Sequence, residues 1–223
     1  TLSRLSDGST LDDIELFEVK HLAILSSKIR NMLTEQNIAA ITLPQLDKVV
    51  EILDPDKLNI PSFYIYDSYN EALREVRKQM KAIQAQGDDI AEDKRQELAM
   101  LLQQHADLEL QVREQLSQQL LAYVAPLTDT LDNLSCLDIL IAKAEQIRQM
   151  NLCIPRIEEE KYTLYNNMFH PQVKAHLAEQ GKAFMPVDIT YEHTPVTIIG
   201  ANMGGKSVVL KSLALNQLLA QYG

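Results

Sequence analysis

The sequence predicts a mainly α protein: an elongated helical domain with an antiparallel coiled-coil hairpin, followed by the β-rich start of an α/β domain. Three observations lead there. Apolar residues recur at helical spacing over most of the first 150 positions. Two of the helices carry seams that step by three and four residues and are joined by a turn of only a few residues. Beyond Met150 the texture changes to short β-branched and aromatic segments divided by Pro155, Pro171, Gly181, Pro186 and Pro195, and these end in a glycine-rich loop.

Taken in order, Ser9 or Thr10 is placed to cap a first long helix whose opening turn carries Asp12 and Asp13, suited to the positive end of the helix dipole. Ile14, Leu16, Val19, Leu22, Ala23, Ile24, Leu25, Ile29, Met32 and Leu33 give it a broad apolar stripe and predict a well-buried helix. A shorter helix is expected from Pro44 to Leu53, stopped by Asp54-Pro55. Beyond Pro61, Leu73, Val76, Met80 and Ile83 form one arm of the hairpin, which spans about 68–125. Gly87 ends that arm, and Asp89 with Glu92 forms a capping-box variant that starts the other. Its apolar positions run from Leu98, Leu101, Leu102, Leu108, Val112 and Leu116 through Leu120, Leu121, Val124, Leu127, Leu131, Leu134, Leu137, Ile141 and Ile147. Unbroken from Asp89 to Met150, that helix would reach roughly 90 Å and serve as a lever or spacer. The alternative is two helices broken at Pro126. The domain boundary is placed near 150, giving domains 1–150 and 151–223.

At 223 residues and 46% hydrophobic content, the chain can bury a substantial core. Cys136 and Cys153 stand far apart, which excludes a paired-cysteine metal site and predicts reduced, buried packing residues in a cytoplasmic protein. No apolar run approaches the roughly 20 residues of a membrane span, so no membrane partner is expected. Thr1 at the start, and Gly223 ending a helical pattern, predict an excised piece with natural sequence on both sides. The net charge of −10 means that nucleic-acid contact would depend on local basic patches.

The chemistry sits near the end. Pro195-Val-Thr-Ile-Ile199 reads as an apolar strand, Gly200-Ala201-Asn202-Met203-Gly204-Gly205-Lys206-Ser207 follows, and a helical run opens at Val208. This is the phosphate-loop pattern in the strand-to-helix setting it requires. The glycines let backbone N–H groups close round phosphate at a helix N-terminus, Lys206 is placed to neutralise the β and γ phosphates, and the Ser207 hydroxyl to coordinate magnesium. The implied cofactors are ATP or ADP with magnesium, held by residues 200–208. Among the histidines, His21, His105, His176 and His193 lack ligand partners at useful spacing, whereas His170 precedes a proline and is kept as a candidate near the nucleotide.

With its Asn202 and Met203, the loop resembles the MutS version of this motif. Met168-Phe169-His170-Pro171 and Phe184-Met185-Pro186-Val187-Asp188-Ile189 resemble the family's strand segments before the loop, and Leu131 to Glu145 its helix leading back from the lever. The resemblance covers most of the chain from about 120 onward. It implies a truncated ABC-type P-loop ATPase domain joined to lever helices, working as a homodimer in the intact protein. Three positions depart from the family pattern: Ala201 for proline, Val208 for threonine, and Val187 where an asparagine commonly lies near the base. The hairpin tip is reduced to Gly87-Asp88-Asp89, without the strand-containing clamp of mismatch-repair members. From Glu71 to Leu120 seven Lys and Arg face ten Asp and Glu, and Asp88, Asp89, Glu92 and Asp93 make the tip acidic. Arg74, Arg77, Lys78 and Lys81 line one arm and read chiefly as a solvated face paired with Glu71 and Glu75. Phe17-Glu18 reads as helix packing rather than a base-stacking wedge.

Two functional readings follow. In one, ATP binding moves the levers round duplex DNA in mismatch repair or recombination control. In the other, a MutS-like ATPase acts on a protein client, as aminomutase-reactivating relatives do, and the short acidic tip favours it. The isolated chain, ending before any acidic strand that could position magnesium and water, is expected to hydrolyse no ATP and so to lack catalytic residues.

Overall fold

Among the described residues, the computed structural model contains eight α-helices and one small sheet. It describes residues 1–58, 60, 62–85, 92–159, 162–192, 194–202 and 204–222. The expected hairpin tip (Gly87, Asp88), the Asp89 cap, Pro61, His193 and Met203 lie outside the described residues. The chain divides into two compact units, Thr1–Asp138 and Ile139–Gly223.

The first unit begins with α1 (Leu2–Ser6) and α2 (Asp13–Glu35). The cap of α2 is Asp12 rather than Ser9 or Thr10: its carboxylate accepts from Glu15 N at 2.9 Å, and Glu15 Oε2 accepts from Asp12 N at 3.0 Å. This reciprocal box satisfies two orphan donors at once, which a lone hydroxyl upstream does not. Only one stripe of α2 is covered, with Leu16, Val19, Lys20, Ala23 and Ser26 buried while Ile14, Leu25 and Met32 are exposed. α3 (Asp47–Leu53) starts three residues after Pro44, because Leu43 and Leu46 both bury in the core and the first helical amides donate to Leu46 O.

α4 (Glu71–Gln84) is capped by Asn70, whose side chain accepts from Ala72 N and Leu73 N. It packs on α5 (Glu92–Leu120). Leu73 joins the main core beside Val112 and Leu116, whereas Val76 and Ile83 meet Leu101 in a second cluster, so the two helices run antiparallel. The predicted α4 seam is buried, except that Met80 is half-buried; Leu102 on α5 faces solvent.

The lever-length helix is not continuous. A 3-10 turn at Leu121–Tyr123 separates α5 from α6 (Val124–Met150). Pro126 falls in the first turn of α6, where its missing N–H costs no helical hydrogen bond. The core of this unit gathers α1 (Leu5), α2, α3, Ile65, α4, α5 and the start of α6 at Leu127. Beyond Leu127 the predicted stripe is only partly covered among the described residues: Leu134 and Leu137 are half-buried, whereas Leu131, Ile141 and Ile147 are exposed. Cys136 lies on the exposed side of this stretch, so it is exposed rather than buried, as is Cys153 in the loop beyond α6.

At the centre of the first unit, Lys20 and Asp54 are each 1% exposed and pair at 3.5 Å. Asp54 Oδ1 also accepts from Tyr66 Oη at 2.5 Å and Leu58 N at 3.1 Å, while Lys20 Nζ donates to Ile60 O at 3.4 Å. Tyr69 Oη donates to Ile52 O at 2.8 Å. Burial first, and then the neighbouring negative groups, raise the phenol pKa values of Tyr66 and Tyr69 well above the usual range.

The second unit holds β1 (Tyr162–Met168), α7 (Pro171–Glu179), β2 (Val187–Glu192) and α8 (Lys206–Tyr222). β1 and β2 pair antiparallel, with Tyr165 opposite Ile189 and Met168 opposite Val187, and a bulge lies between Tyr165 and Met168. Asn167 sits there at φ 53°, its amide donating to Asp188 Oδ1 at 2.7 Å. Asparagine tolerates that left-handed conformation better than most residues. The expected strand Pro195–Ile199 has no regular structure, and Val196 and Ile199 are exposed. A strand exists only through a ladder partner, and among the described residues β1 and β2 pair with each other alone.

Two predictions follow from the buried polar centre. Lys20→Met should destabilise the first unit by about 3–5 kcal/mol, because it strands a buried carboxylate; Lys20→Met/Asp54→Leu should recover part of that loss in urea denaturation. The raised tyrosine pKa values give stability that is fully present below the unfolded value near about 10 and is lost as pH rises beyond it. Tyr66→Phe/Tyr69→Phe should therefore flatten the alkaline limb of a stability-versus-pH profile.

Candidate functional site

Residues 200–208 form a loop and the first turn of α8. Gly205 has φ +81°, a left-handed conformation open to glycine and strained for other residues. A Cβ on Gly204 would lie 3.0 Å from the backbone oxygen of Ala201, while one on Gly200 would meet only ordinary contacts with Lys206. The loop closes through Gly204 N donating to Ala201 O at 3.1 Å, and the helix opens with Val208 N and Val209 N donating to Gly205 O. Gly205 is thus favoured by its backbone conformation, and Gly204 by its close approach to Ala201.

Lys206 is half-buried and arches across the loop, its Nζ donating to Gly200 O at 2.6 Å and Ala201 O at 2.5 Å. Its ammonium is therefore held over the mouth of the turn from the first residue of α8. Ser207 follows with its side chain exposed, and Val208 is half-buried. Such a helix start, with unpaired amides and an adjacent cation, is electrostatically suited to an anion.

α8 is anchored on the sheet. Tyr165 Oη donates to Gln217 Oε1 at 3.0 Å, and Asn216 Nδ2 donates to Phe169 O at 3.1 Å. Ser212, buried one turn earlier, donates to Val208 O at 2.7 Å. Burial and the neighbouring Tyr191 raise the Tyr165 pKa, in keeping with a phenol held neutral as a donor. The segment Met168-Phe169-His170-Pro171 thus touches the helix that begins at the loop. His170 is the N-cap of α7 with Pro171 at the first position, and its Nδ1 is shielded from solvent without a hydrogen-bond partner in the structure. Val187 lies opposite Met168 in the sheet.

The other singled-out residues fall elsewhere. Phe17 stacks on His21 with ring centroids 5.5 Å apart, as expected of packing. Arg74 pairs with Glu71 and Lys78 with Glu75, also as expected. Arg77 differs: with its side chain 13% exposed, it is bound to Asp67 at 2.6 Å and Glu109 at 3.0 Å. Periodicity alone gives no signal for that arrangement, since the partners lie 10 and 32 residues away. Among the described residues, no cluster of His, Cys, Asp or Glu is arranged to hold a metal, and no helix is long and apolar enough to cross a membrane.

Comparison with known proteins agrees with the class that the loop indicates. No family model matches the sequence. The chain is 35% identical over 127 residues to endonuclease MutS2 of Pediococcus pentosaceus, covering 55% of this chain and 16% of that protein. It is 33% identical over 99 residues to the DNA mismatch repair protein Msh3 of Mus musculus, covering 44% and 9%. It is 31% identical over 118 residues to the DNA mismatch repair protein MutS of Shouchella clausii, covering 53% and 14%. These matches support a MutS-like family. The matched segments amount to between 9% and 16% of these relatives' lengths.

Gly205→Ala should strain the loop by about 1–3 kcal/mol at its left-handed position and disturb the start of α8. Amide exchange of residues 204–210 should rise while that of α2 stays unchanged; unchanged exchange at 204–210 would contradict the strain argument.

Proposed function

We propose that this chain is the lever and nucleotide-loop segment of a MutS-like ATPase, in which ATP and magnesium bound at residues 200–208 drive movement of the helical unit on duplex DNA. The observation that carries this reading is the loop itself: Gly205 adopts a left-handed conformation, Gly204 closely approaches Ala201, and Lys206 is held across its mouth at the start of α8. Backbone amides of 205–207 would face the phosphates, Lys206 would neutralise the β and γ oxygens, and Ser207 would ligate magnesium. Magnesium bound there supplies charge neutralisation for the phosphate chain. Ala201 and Val208 leave the amide donors and the Ser207 hydroxyl in place. The intact protein is read as a homodimer with an α/β ATPase domain, of which 151–223 is the opening part.

The DNA reading is supported by the names of the relatives, two of which are DNA mismatch repair proteins. A protein client is the second reading, and one observation favours it: three cations of the α4 arm are already paired with carboxylates. Arg74 and Lys78 bind Glu71 and Glu75, and Arg77 is enclosed by Asp67 and Glu109. Arg77 is thereby withheld from phosphate, and the charges of Arg74 and Lys78 are partly offset by their neighbours.

Fluorescent ATP should bind the chain in the presence of magnesium, and Lys206→Ala should weaken it at least about tenfold, the equivalent of 1.4 kcal/mol. Ser207→Ala should chiefly remove the magnesium dependence. Equal binding by wild type and Lys206→Ala would refute the nucleotide assignment. For the client, the intact protein should bind duplex DNA with an affinity that falls steeply with salt, at a slope of about −0.9 per phosphate contacted. Absence of binding at low salt would transfer the assignment to a protein client.

A further inference from the structure

The same carboxylate serves two arginines at the root of the hairpin. Glu109 Oε1 accepts from Arg77 Nη2 at 3.0 Å, and its Oε2 from Arg113 Nη2 at 3.4 Å. Arg77 is held on its other side by the segment leading into α4. Nη1 donates to Asp67 Oδ1 at 2.6 Å, Ile65 O at 2.7 Å and Tyr64 Oη at 3.2 Å. Its Nε donates to His105 Nε2 at 3.2 Å. Because a guanidinium never deprotonates, that imidazole nitrogen is the accepting one, and its 3.5 Å approach to Glu109 is proximity rather than a bond. Arg113 is drawn the opposite way, to the first turn of α2. Its Nε donates to Asp13 Oδ1 at 2.7 Å and its Nη2 to Asp13 Oδ2 at 3.2 Å.

The contacts therefore form one chain, from the 64–67 segment through Arg77, Glu109 and Arg113 to Asp13. Arg77, Glu109 and Arg113 have side chains only 13%, 22% and 22% exposed, so their charges are screened less than those of free surface pairs. Each oxygen accepts from one arginine, Oε1 from Arg77 and Oε2 from Arg113, and two guanidinium ions drawn onto one carboxylate repel each other. Asp13 holds Arg113 back and limits its claim on Glu109.

We propose that Glu109 is the shared member of a charge relay that couples the first turn of α2 to the hairpin root, with Asp13 governing how firmly Arg77 is clamped. When Asp13 loses its charge, Arg113 turns fully onto Glu109 and displaces Arg77 from Oε1. The 64–67 segment and the start of α4 then loosen, although neither touches Asp13. A set of independent surface ion pairs would not behave this way, since unlinked sites give additive effects. The relay lies wholly within the first unit and is independent of nucleotide binding.

The test is amide hydrogen exchange on the full chain. Asp13→Asn, at a half-exposed side chain, should speed exchange in residues 62–76 about threefold or more. The same change made in an Arg113→Met background should leave 62–76 at that background's rate, because no competing arginine remains. If Asp13→Asn lowers global protection, the comparison moves to a Glu109→Gln background, where it should add nothing at 62–76. Exchange altered only at residues 10–17, or altered equally at 62–76 in the presence and absence of Arg113, would overturn the relay.

Discussion

The ion pair between Lys20 and Asp54 is the constraint on which the first unit is built. Two opposite charges, each 1% exposed, can remain inside only if they stay together and are further hydrogen-bonded. Asp54 ends α3, Lys20 sits on the buried stripe of α2, and Tyr66 closes on Asp54 from the segment entering α4. Displacing any of the three would leave a buried charge or hydroxyl without its partner. The pair therefore fixes where Asp54 and Tyr66 lie more than it adds to stability, and Leu73 enters the core beyond Tyr66.

α5 carries that order outward. Val112, Leu116 and Leu120 belong to the main core, while Leu101 meets Val76 and Ile83 in the second cluster. One continuous helix thus serves both the core and the hairpin, so the hairpin's position is inherited from the core through backbone hydrogen bonds rather than through a joint. At the other end, the 3-10 turn at 121–123 and Pro126 in the opening turn of α6 interrupt that continuity. A lever longer than α5 would have to pass through this break. Ser117 stitches the lower part of α5 to the chain before α2, accepting from Leu11 N at 2.9 Å.

In the second unit the constraint is conformational rather than ionic. The loop depends on φ +81° at Gly205 and on the close approach at Gly204, both of which are local requirements. α8 then rests on β1 through Tyr165 and Asn216, so the position of Lys206 follows from that docking. The 195–199 segment differs, since its apolar side chains meet no ladder among the described residues. Both features of the site, the turn and the lysine, survive this because neither draws on a strand neighbour.

The long helices, their order and the glycine spacing of the loop were legible in the sequence because each rests on interactions within a few residues: apolar spacing for α2, α4 and α5, and glycine spacing before Lys206; α1 was not read, and α7 lies where short strands were expected. Errors arose where a local pattern had competing solutions. Asp12 outcompeted Ser9 and Thr10 because Glu15 could reciprocate, and burial of Leu46 delayed α3 past Pro44. The remaining features could not be read at all. The pairing of Lys20 with Asp54, the sharing of Glu109 by Arg77 and Arg113, the exposure of Cys136 and the unpaired 195–199 segment all depend on which distant residues arrive alongside. Sequence by itself determined the long helices and the residue pattern at 200–208, because backbone propensity and side-chain spacing act over short range. The tertiary structure alone decided which charges are buried together and which apolar faces are covered, because burial and ion pairing depend on separation in space, which neighbouring positions in the chain do not encode.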